Sequence, residues 1–373
     1  MSPTDSATAG AQSTALPPFV FTCCQVGAER ALKAEIGSEW PASRFAFSRP
    51  GFVTFRFPDD AVPPARFDLK SIFARTYGFS VGKATGDSAE ALAAQAWDLL
   101  GDRQVNHIHV WQRDAHLPGE RGFWPGPTVL AEEVGTRLAQ LAPPRQPPSL
   151  PVNQRADADE SVLDCVLVEP HEWWIGFHHA SAYALRWPGG VVPTHLPSYA
   201  VSRAYAKMHE ALEWSRFPIL PGDNCVEIGS APGGASQALL DRGALVTGID
   251  PAEMDPQVVA QQNFTWVRKR GSDVKRRDYG AFRWLTADVN MAPNFTLDML
   301  ADIVQHEAVR IHGMLLTLKL LDWKLAADIP AYLERIRSWG YRYVRVRQLA
   351  SNRQEVCVVA LKSRASRRGR PKR

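Results

Sequence analysis

The chain has 373 residues, 45% of them hydrophobic and 22% charged, with a formal net charge of +4. That composition suits one or two globular domains with a substantial buried core and excludes a disordered or fibrous chain. No apolar stretch approaches the roughly 18 residues that a membrane helix needs, and even Met314 to Trp323 is interrupted by Lys319, so no membrane span is expected.

The net charge hides two opposed halves. Residues 1–190 carry 16 Lys+Arg against 21 Asp+Glu, a net of −5, whereas residues 191–373 carry 27 against 18, a net of +9. Six of those positive charges lie in the last ten residues, and a second basic run comprises Arg268, Lys269, Arg270, Lys275, Arg276 and Arg277. Such patches favour a polyanionic partner. Cys23, Cys24, Cys165, Cys225 and Cys357 have neither metal-ligand spacing nor a disulfide rhythm, which fits a reducing, cytoplasmic compartment without structural zinc.

Residues 1–18 lack the basic start and apolar run of a secretory signal and read as a disordered tail. A strand from Pro18, a turn at Gly27 and a helix with Ala28, Ala31, Leu32 and Ile36 on one face follow. RFAFSRPGFVTFRF alternates around Pro50-Gly51 as a hairpin. Helical patterns occupy 88–100 and 128–141, with a strand at 105–112 between them, and the proline-rich 142–151 is a linker. SVLDCVLVEP and EWWIGFHHA form two closing strands, and the Gly/Pro cluster at 187–197 marks a boundary. These features suggest an N-terminal α+β region over 19–190.

Beyond it, a helix near 199–215 precedes short apolar runs at 224–229, 244–250, 264–268, 282–289, 313–321, 341–349 and 356–362, with helical patterns near 234–242, 295–311 and 325–339. Alternation of this kind predicts an α/β, Rossmann-like, doubly wound and mostly parallel sheet over 191–363, which binds ligands at the carboxyl ends of its strands. Residues 364–373 read as a basic disordered tail.

The most informative stretch is CVEIGSAPGGASQALLDRGALVTGID. A buried strand runs into a glycine turn that opens a helix, and a second strand ends at Asp250, some 20 residues on. Glycines let the backbone approach a ligand, and an acid at that position accepts bonds from ribose hydroxyls. This is a nucleoside-cofactor site, but not the G-x-G-x-x-G of dinucleotide enzymes, because Ser230, Ala231 and Pro232 separate Gly229 from Gly233 and Gly234.

With the preceding Glu227, GSAPGG resembles the S-adenosylmethionine turn of the FtsJ-type RNA ribose 2′-O-methyltransferases, a family marked by a Lys-Asp-Lys-Glu tetrad. SRAYAK supplies Lys207, TADV supplies Asp288, LTLK supplies Lys319 and SNRQEV supplies Glu355. Taken singly, each has an ordinary structural explanation; together with the turn they point to chemistry. The resemblance extends, patchily, over 19–362 to the members of that family that act on bacterial large-subunit rRNA. It implies a THUMP-like RNA-binding region over 19–190, methylation of a cytidine ribose in 23S rRNA, and cofactor contacts from Ser202, Glu227, Gly229, Ser230, Ala231, Pro232, Gly233, Gly234, Asp250 and Asp288. Ala204 stands where the family has a small polar residue. Arg270, with Asp273 the nearest acid, stands where it has an acidic cofactor contact.

The same chemistry on another RNA, or an inactive RNA-binding assembly factor, remains an alternative reading. A ribose hydroxyl needs a base, and Lys319 fits that role if burial and the neighbouring cation Lys207 lower its pKa. Asp288 would orient it, and Lys207 and Glu355 would hold the ribose. The ten histidines, including those of HIHV and the pair His178-His179, have no ligand spacing and are expected to be structural. A monomer is assumed.

Overall fold

The computed structural model describes residues 16–194 and 196–363. Of the tails expected over 1–18 and 364–373, residues 1–15 and 364–373 lie outside the described residues. Two seven-stranded sheets account for most of the rest.

The first sheet is built from β1 (Phe19–Cys23), α1 (Glu29–Glu39), β2 (Arg44–Arg49), β3 (Phe52–Arg56), β4 (Thr76–Thr85), α2 (Ala89–Leu100), β5 (His107–Gln112), α3 (Val129–Gln140), β6 (Ser161–Glu169) and β7 (Glu172–His179). Its order is β2-β3-β1-β4-β7-β6-β5, antiparallel except for β5 beside β6. Ser88 and Thr128 begin α2 and α3 by accepting the amide protons of Ala91 and Ala131, satisfying donors that have no partner inside a helix. Both helices bury a face at helical spacing, Leu92, Ala93, Ala96 and Trp97 in α2 and Ala131, Val134 and Leu138 in α3. Val110 of β5 faces α3 through Gly135, whose added Cβ would lie 3.4 Å from it.

Strand alternation then turns His109 and Trp111 to the opposite face, which carries buried polar groups. Arg75 makes two 2.7 Å bonds to Asp114 and donates to the Gly189 carbonyl. His178 pairs with Asp164 at 2.7 Å and its Nε2 meets the Leu185 carbonyl. These closed pairs anchor loops to the sheet. β4 was not read as a strand from the sequence, because Gly78 and Gly82 interrupt its apolar pattern.

The second sheet is built from α4 (Ala204–Ser215), β8 (Asn224–Ile228), α5 (Gly234–Leu240), β9 (Leu245–Ile249), α6 (Pro256–Val259), β10 (Phe264–Val267), β11 (Trp284–Asp288), α7 (Pro293–Val304), β12 (Gly313–Lys319), α8 (Ile329–Ser338), β13 (Tyr343–Arg347) and β14 (Glu355–Leu361). The order is β10-β9-β8-β11-β12-β14-β13, with only β14 antiparallel to its neighbours. This is the doubly wound, Rossmann-like arrangement expected. Its apolar strands are buried on both faces because α4 and α5 cover one and α7 and α8 the other. The chain leaves β8 toward β9 on one side and toward β11 on the other, and ligands of such sheets bind at that switch point. The helix expected over 295–311 is α7, shifted to 293–304 by Pro293 at its first turn. The pattern at 325–339 divides into a 3-10 turn, Trp323–Asp328, and α8.

The halves are joined beneath the second sheet's last strands. Gln348 donates to Gln25 Oε1 (2.7 Å), Gln25 donates to the Asn352 carbonyl (2.7 Å), and the Gln348 amide donates to the Ile72 carbonyl (2.8 Å). Arg347 reaches the carbonyls of Ala74 and Arg75.

Candidate active site

Four charged side chains meet at the carboxyl ends of β11 and β12. Lys319 is the last residue of β12 and stands directly across the ladder from Glu355, the first of antiparallel β14. Asp288 ends the neighbouring β11, and Lys207 reaches in from α4. Lys207 Nζ donates to Asp288 Oδ2 at 2.5 Å and lies 2.7 Å from Glu355 Oε1. Lys319 Nζ lies 2.8 Å from Asp288 Oδ1 and donates to Glu355 Oε2. The result is a closed ring in which each lysine bridges both carboxylates. Lys207 is 8% exposed and Glu355 3%.

Electrostatics corrects one expectation. Burial would lower the Lys319 pKa, but Asp288 and Glu355 raise it, and the net direction is upward. The expected activation by Lys207 is therefore outweighed in the resting site, and Lys319 stands as an ammonium. Burial likewise opposes ionisation of Glu355, yet Lys207 and Lys319 hold its carboxyl well below the usual range.

The loop that carries Glu355 is held from several sides. Buried Glu210 accepts the amide protons of Ala350 (2.8 Å) and Ser351 (2.7 Å), and Asn352 donates to Glu355 Oε1 at 3.3 Å. Gln25 of the first half fixes the Asn352 carbonyl. Sequence reading missed Glu210, Gln25 and Asn352. Glu210 lies three residues beyond SRAYAK and Asn352 within NRQEV, whereas Gln25, acting across 327 residues of chain, has no local signal.

Beside the ring lies a cavity of about 600 Å³ lined by Gly229, Ala231, Asp250, Arg270, Ser272, Asp288, Met291, Phe295 and neighbours. Its floor is the glycine turn. Gly229 has φ +80, and a Cβ there would fall 2.4 Å from the Asp288 carbonyl oxygen, so only glycine lets β8 and β11 close at this point. The Asp250 carboxylate accepts from the amides of Ala231 (3.0 Å) and Ala252 (2.8 Å), which fixes it at the rim.

The remaining expected contacts sit differently. Glu227 is 1% exposed; burial pushes its carboxyl up to about 8, and Ser236 donates to it from below the turn. It lines a separate space of about 20 Å³ with Lys207, Thr286 and Asp288. Ser202 caps the Ala204 amide and packs on Gly234, behind the turn instead of on the cavity wall. Ser230 is buried against Met254, and Gly233 packs on Val258. Pro232 follows a cis peptide from Ala231. Where an acid was sought at the end of β10, the cavity presents Arg270, Gly271 and Ser272; Asp273 is not among its lining residues.

Two histidines of the first half also converge on one carboxylate. His109 and Asp164 are opposed across β5 and β6, and with His178 they bring donor atoms within 4.8 Å of one another. The convergence comes from strand register, which sequence spacing does not reveal. His178 is committed to Asp164 and Leu185, and His109 Nε2 donates to the Gln154 carbonyl oxygen.

A parallel sheet with a glycine turn after its first strand and a Lys/Asp/Lys/Glu ring at its switch point can be compared with known proteins. Residues 200–327 match the model of the FtsJ-like methyltransferase family. Over these residues the chain resembles the FtsJ-like methyltransferases. The match includes Lys207, Asp288 and Lys319 and stops before Glu355. The chain is 29% identical over 195 residues to the ribosomal RNA large subunit methyltransferase M of Halorhodospira halophila, covering 50% of this chain and 53% of that protein. To the protein of the same name from Laribacter hongkongensis it is 30% identical, over 49% of this chain and 54% of the relative. The Pseudomonas putida protein of that name is 29% identical over 75% of this chain and 88% of its own. The chain thus spans about half the length of the first two relatives and most of the third.

Proposed function

We propose that the FtsJ-like domain transfers a methyl group from S-adenosylmethionine to a ribose 2′-hydroxyl of large-subunit rRNA, with a cytidine of 23S rRNA as the target. The closed ring of Lys207, Asp288, Lys319 and Glu355 carries this reading. The names of the relatives support rRNA as the substrate class, and such an enzyme works in the cytoplasm, where ribosomes assemble.

The cavity suits the cofactor: it is large enough, it opens on a turn that excludes side chains, and it has Asp250 at its rim for ribose hydroxyls. When bound, S-adenosylmethionine supplies an electrophilic methyl group. The protein's task is alignment and deprotonation. Asp288 belongs to both the ring and the cavity wall, which supports the reading that the hydroxyl and the methyl group meet beside it. Lys207 and Glu355 hold the ribose. Lys319, after losing its ammonium proton, accepts the hydroxyl proton and returns to its ion-paired state. The first half serves as the RNA-binding region.

Incubating the protein with labelled cofactor and large-subunit rRNA tests the activity, and ribose-methylation mapping with and without the protein tests the target. Label in the rRNA and loss of a single 23S mark are expected. Saturable cofactor binding with no transfer to any RNA would support an assembly factor instead, and a lost mark outside 23S rRNA would redirect the substrate.

A further inference from the structure

Two arginines outside the ring converge at its mouth. Arg203 sits at the start of α4, one turn before Lys207, so the two side chains rise from the same helix face. Arg353 lies two residues before Glu355, on the loop between β13 and β14. Both guanidinium groups donate to one acceptor, the Pro118 carbonyl of the first half, Arg203 Nη1 at 2.5 Å and Arg353 Nε at 3.1 Å. A Cβ built on the adjacent Gly119 would lie 3.3 Å from Arg203 Nη1 and 3.7 Å from Arg353 Nη2. The two cations are therefore neighbours.

Neither forms an ion pair with a carboxylate among the described residues. Glu355 and Asp288 are close enough to act on Arg203 through space, but each is already bridged by both ring lysines. Burial and the Arg353 charge together lower the Arg203 pKa. Two adjacent guanidiniums sharing one neutral carbonyl leave most of their donors uncommitted. The N-terminus of a 12-residue helix points the same way and adds to the positive potential.

We propose that Arg203 and Arg353 clamp a phosphodiester of the RNA strand beside the target ribose, with the Pro118 carbonyl holding both guanidiniums in place. A phosphate is the ligand that fits: it is anionic, it presents several acceptor oxygens, and planar guanidiniums bind it through paired N–H groups. It is also adjacent to every ribose in the chain. Such a contact sets register and carries no base information. The loop from the first half then has a second task, since it fixes the clamp through one backbone atom. The inference rests on RNA as the substrate, and its test separates the two.

The test measures binding of the full chain to single-stranded RNA against salt, with methyl transfer and cofactor calorimetry in parallel, for wild type, Arg203→Ala, Arg353→Ala and the double variant. Removing two phosphate contacts is expected to reduce the slope of log K against log salt by about 1.4, at about 0.7 per contact. RNA affinity should fall at least tenfold in the double variant, with the kinetic loss mainly in KM, while cofactor affinity stays at the wild-type value. Lysine at both positions should restore the slope but not all the affinity, because a lysine cannot make the forked contact. A double variant with unchanged salt slope and KM overturns the clamp even if transfer to rRNA is confirmed. A wild type that shows the arginine-dependent slope but transfers no methyl group supports the clamp and overturns the enzymatic reading.

Discussion

The two seven-stranded sheets treat buried charge in opposite ways. In the first half, Arg75–Asp114 and His178–Asp164 are closed pairs within the fold, each with a further bond to a loop carbonyl. In the second, four charges are gathered at the open ends of parallel strands, where Asp288 also faces a cavity. An antiparallel sheet is a surface on which loops can be fastened. A doubly wound parallel sheet has a crevice where its chain direction divides, and charge placed there remains available to a ligand. The halves differ less in their amount of buried charge than in whether that charge faces a cavity.

The sharpest way to break this contrast is at the ring. Lys319→Ala should lower methyl transfer by about 10²- to 10⁴-fold, the usual range for a positioned base, and Lys319→Arg should not restore it, because arginine does not deprotonate. Since the carboxylates raise the Lys319 pKa, the neutral fraction should grow about tenfold per pH unit without a plateau below the ordinary lysine value near 10.4. A rate profile that levels off near pH 7 would remove Lys319 from the role. In the first half, Asp114→Ala should leave Arg75 charged and buried without its counter-ion, costing about 3–5 kcal/mol. Denaturant unfolding would show it, and calorimetry should find cofactor binding intact wherever the protein remains folded.

Between these lies the joint. Gln25→Ala removes the bond to the Asn352 carbonyl and a partner of Gln348, costing about 1–3 kcal/mol. If the first half props the Glu355 loop, kcat should fall while cofactor affinity holds; loss of stability alone would make the halves independent. A further effect concerns Glu227. Its pKa is raised to about 8, so the native state holds a proton that the unfolded chain releases above about pH 4.3. Stability should fall as pH rises between those values. Glu227→Gln should flatten that dependence of Tm, and an unchanged slope would mean that Glu227 ionises freely.

Much of this was legible in the residues. The strands of the second half were visible as apolar runs because both faces are buried, and the ring residues were marked by their motifs. The direction of the Lys319 shift was not, because it depends on Asp288 beside it and on Glu355 across the ladder, a pairing 36 residues apart set by β12–β14 register. Register also concealed the approach of His109 to Asp164. Gln25 and Arg353 were silent for a related reason: a lone polar residue in a loop acquires meaning only when a distant backbone carbonyl meets it.

The ring has a consequence for range. Two ammoniums and two carboxylates in alternation have no net charge, and their opposed pairs largely cancel as a dipole. Their field therefore fades within a few ångströms, well inside the roughly 8 Å over which physiological salt screens a single exposed charge. Such a site neither draws in nor repels a polyanion, and it acts only on what already touches it. Capture of the strand and chemistry on its sugar are then separable: ionic strength governs the first and leaves the second nearly unchanged.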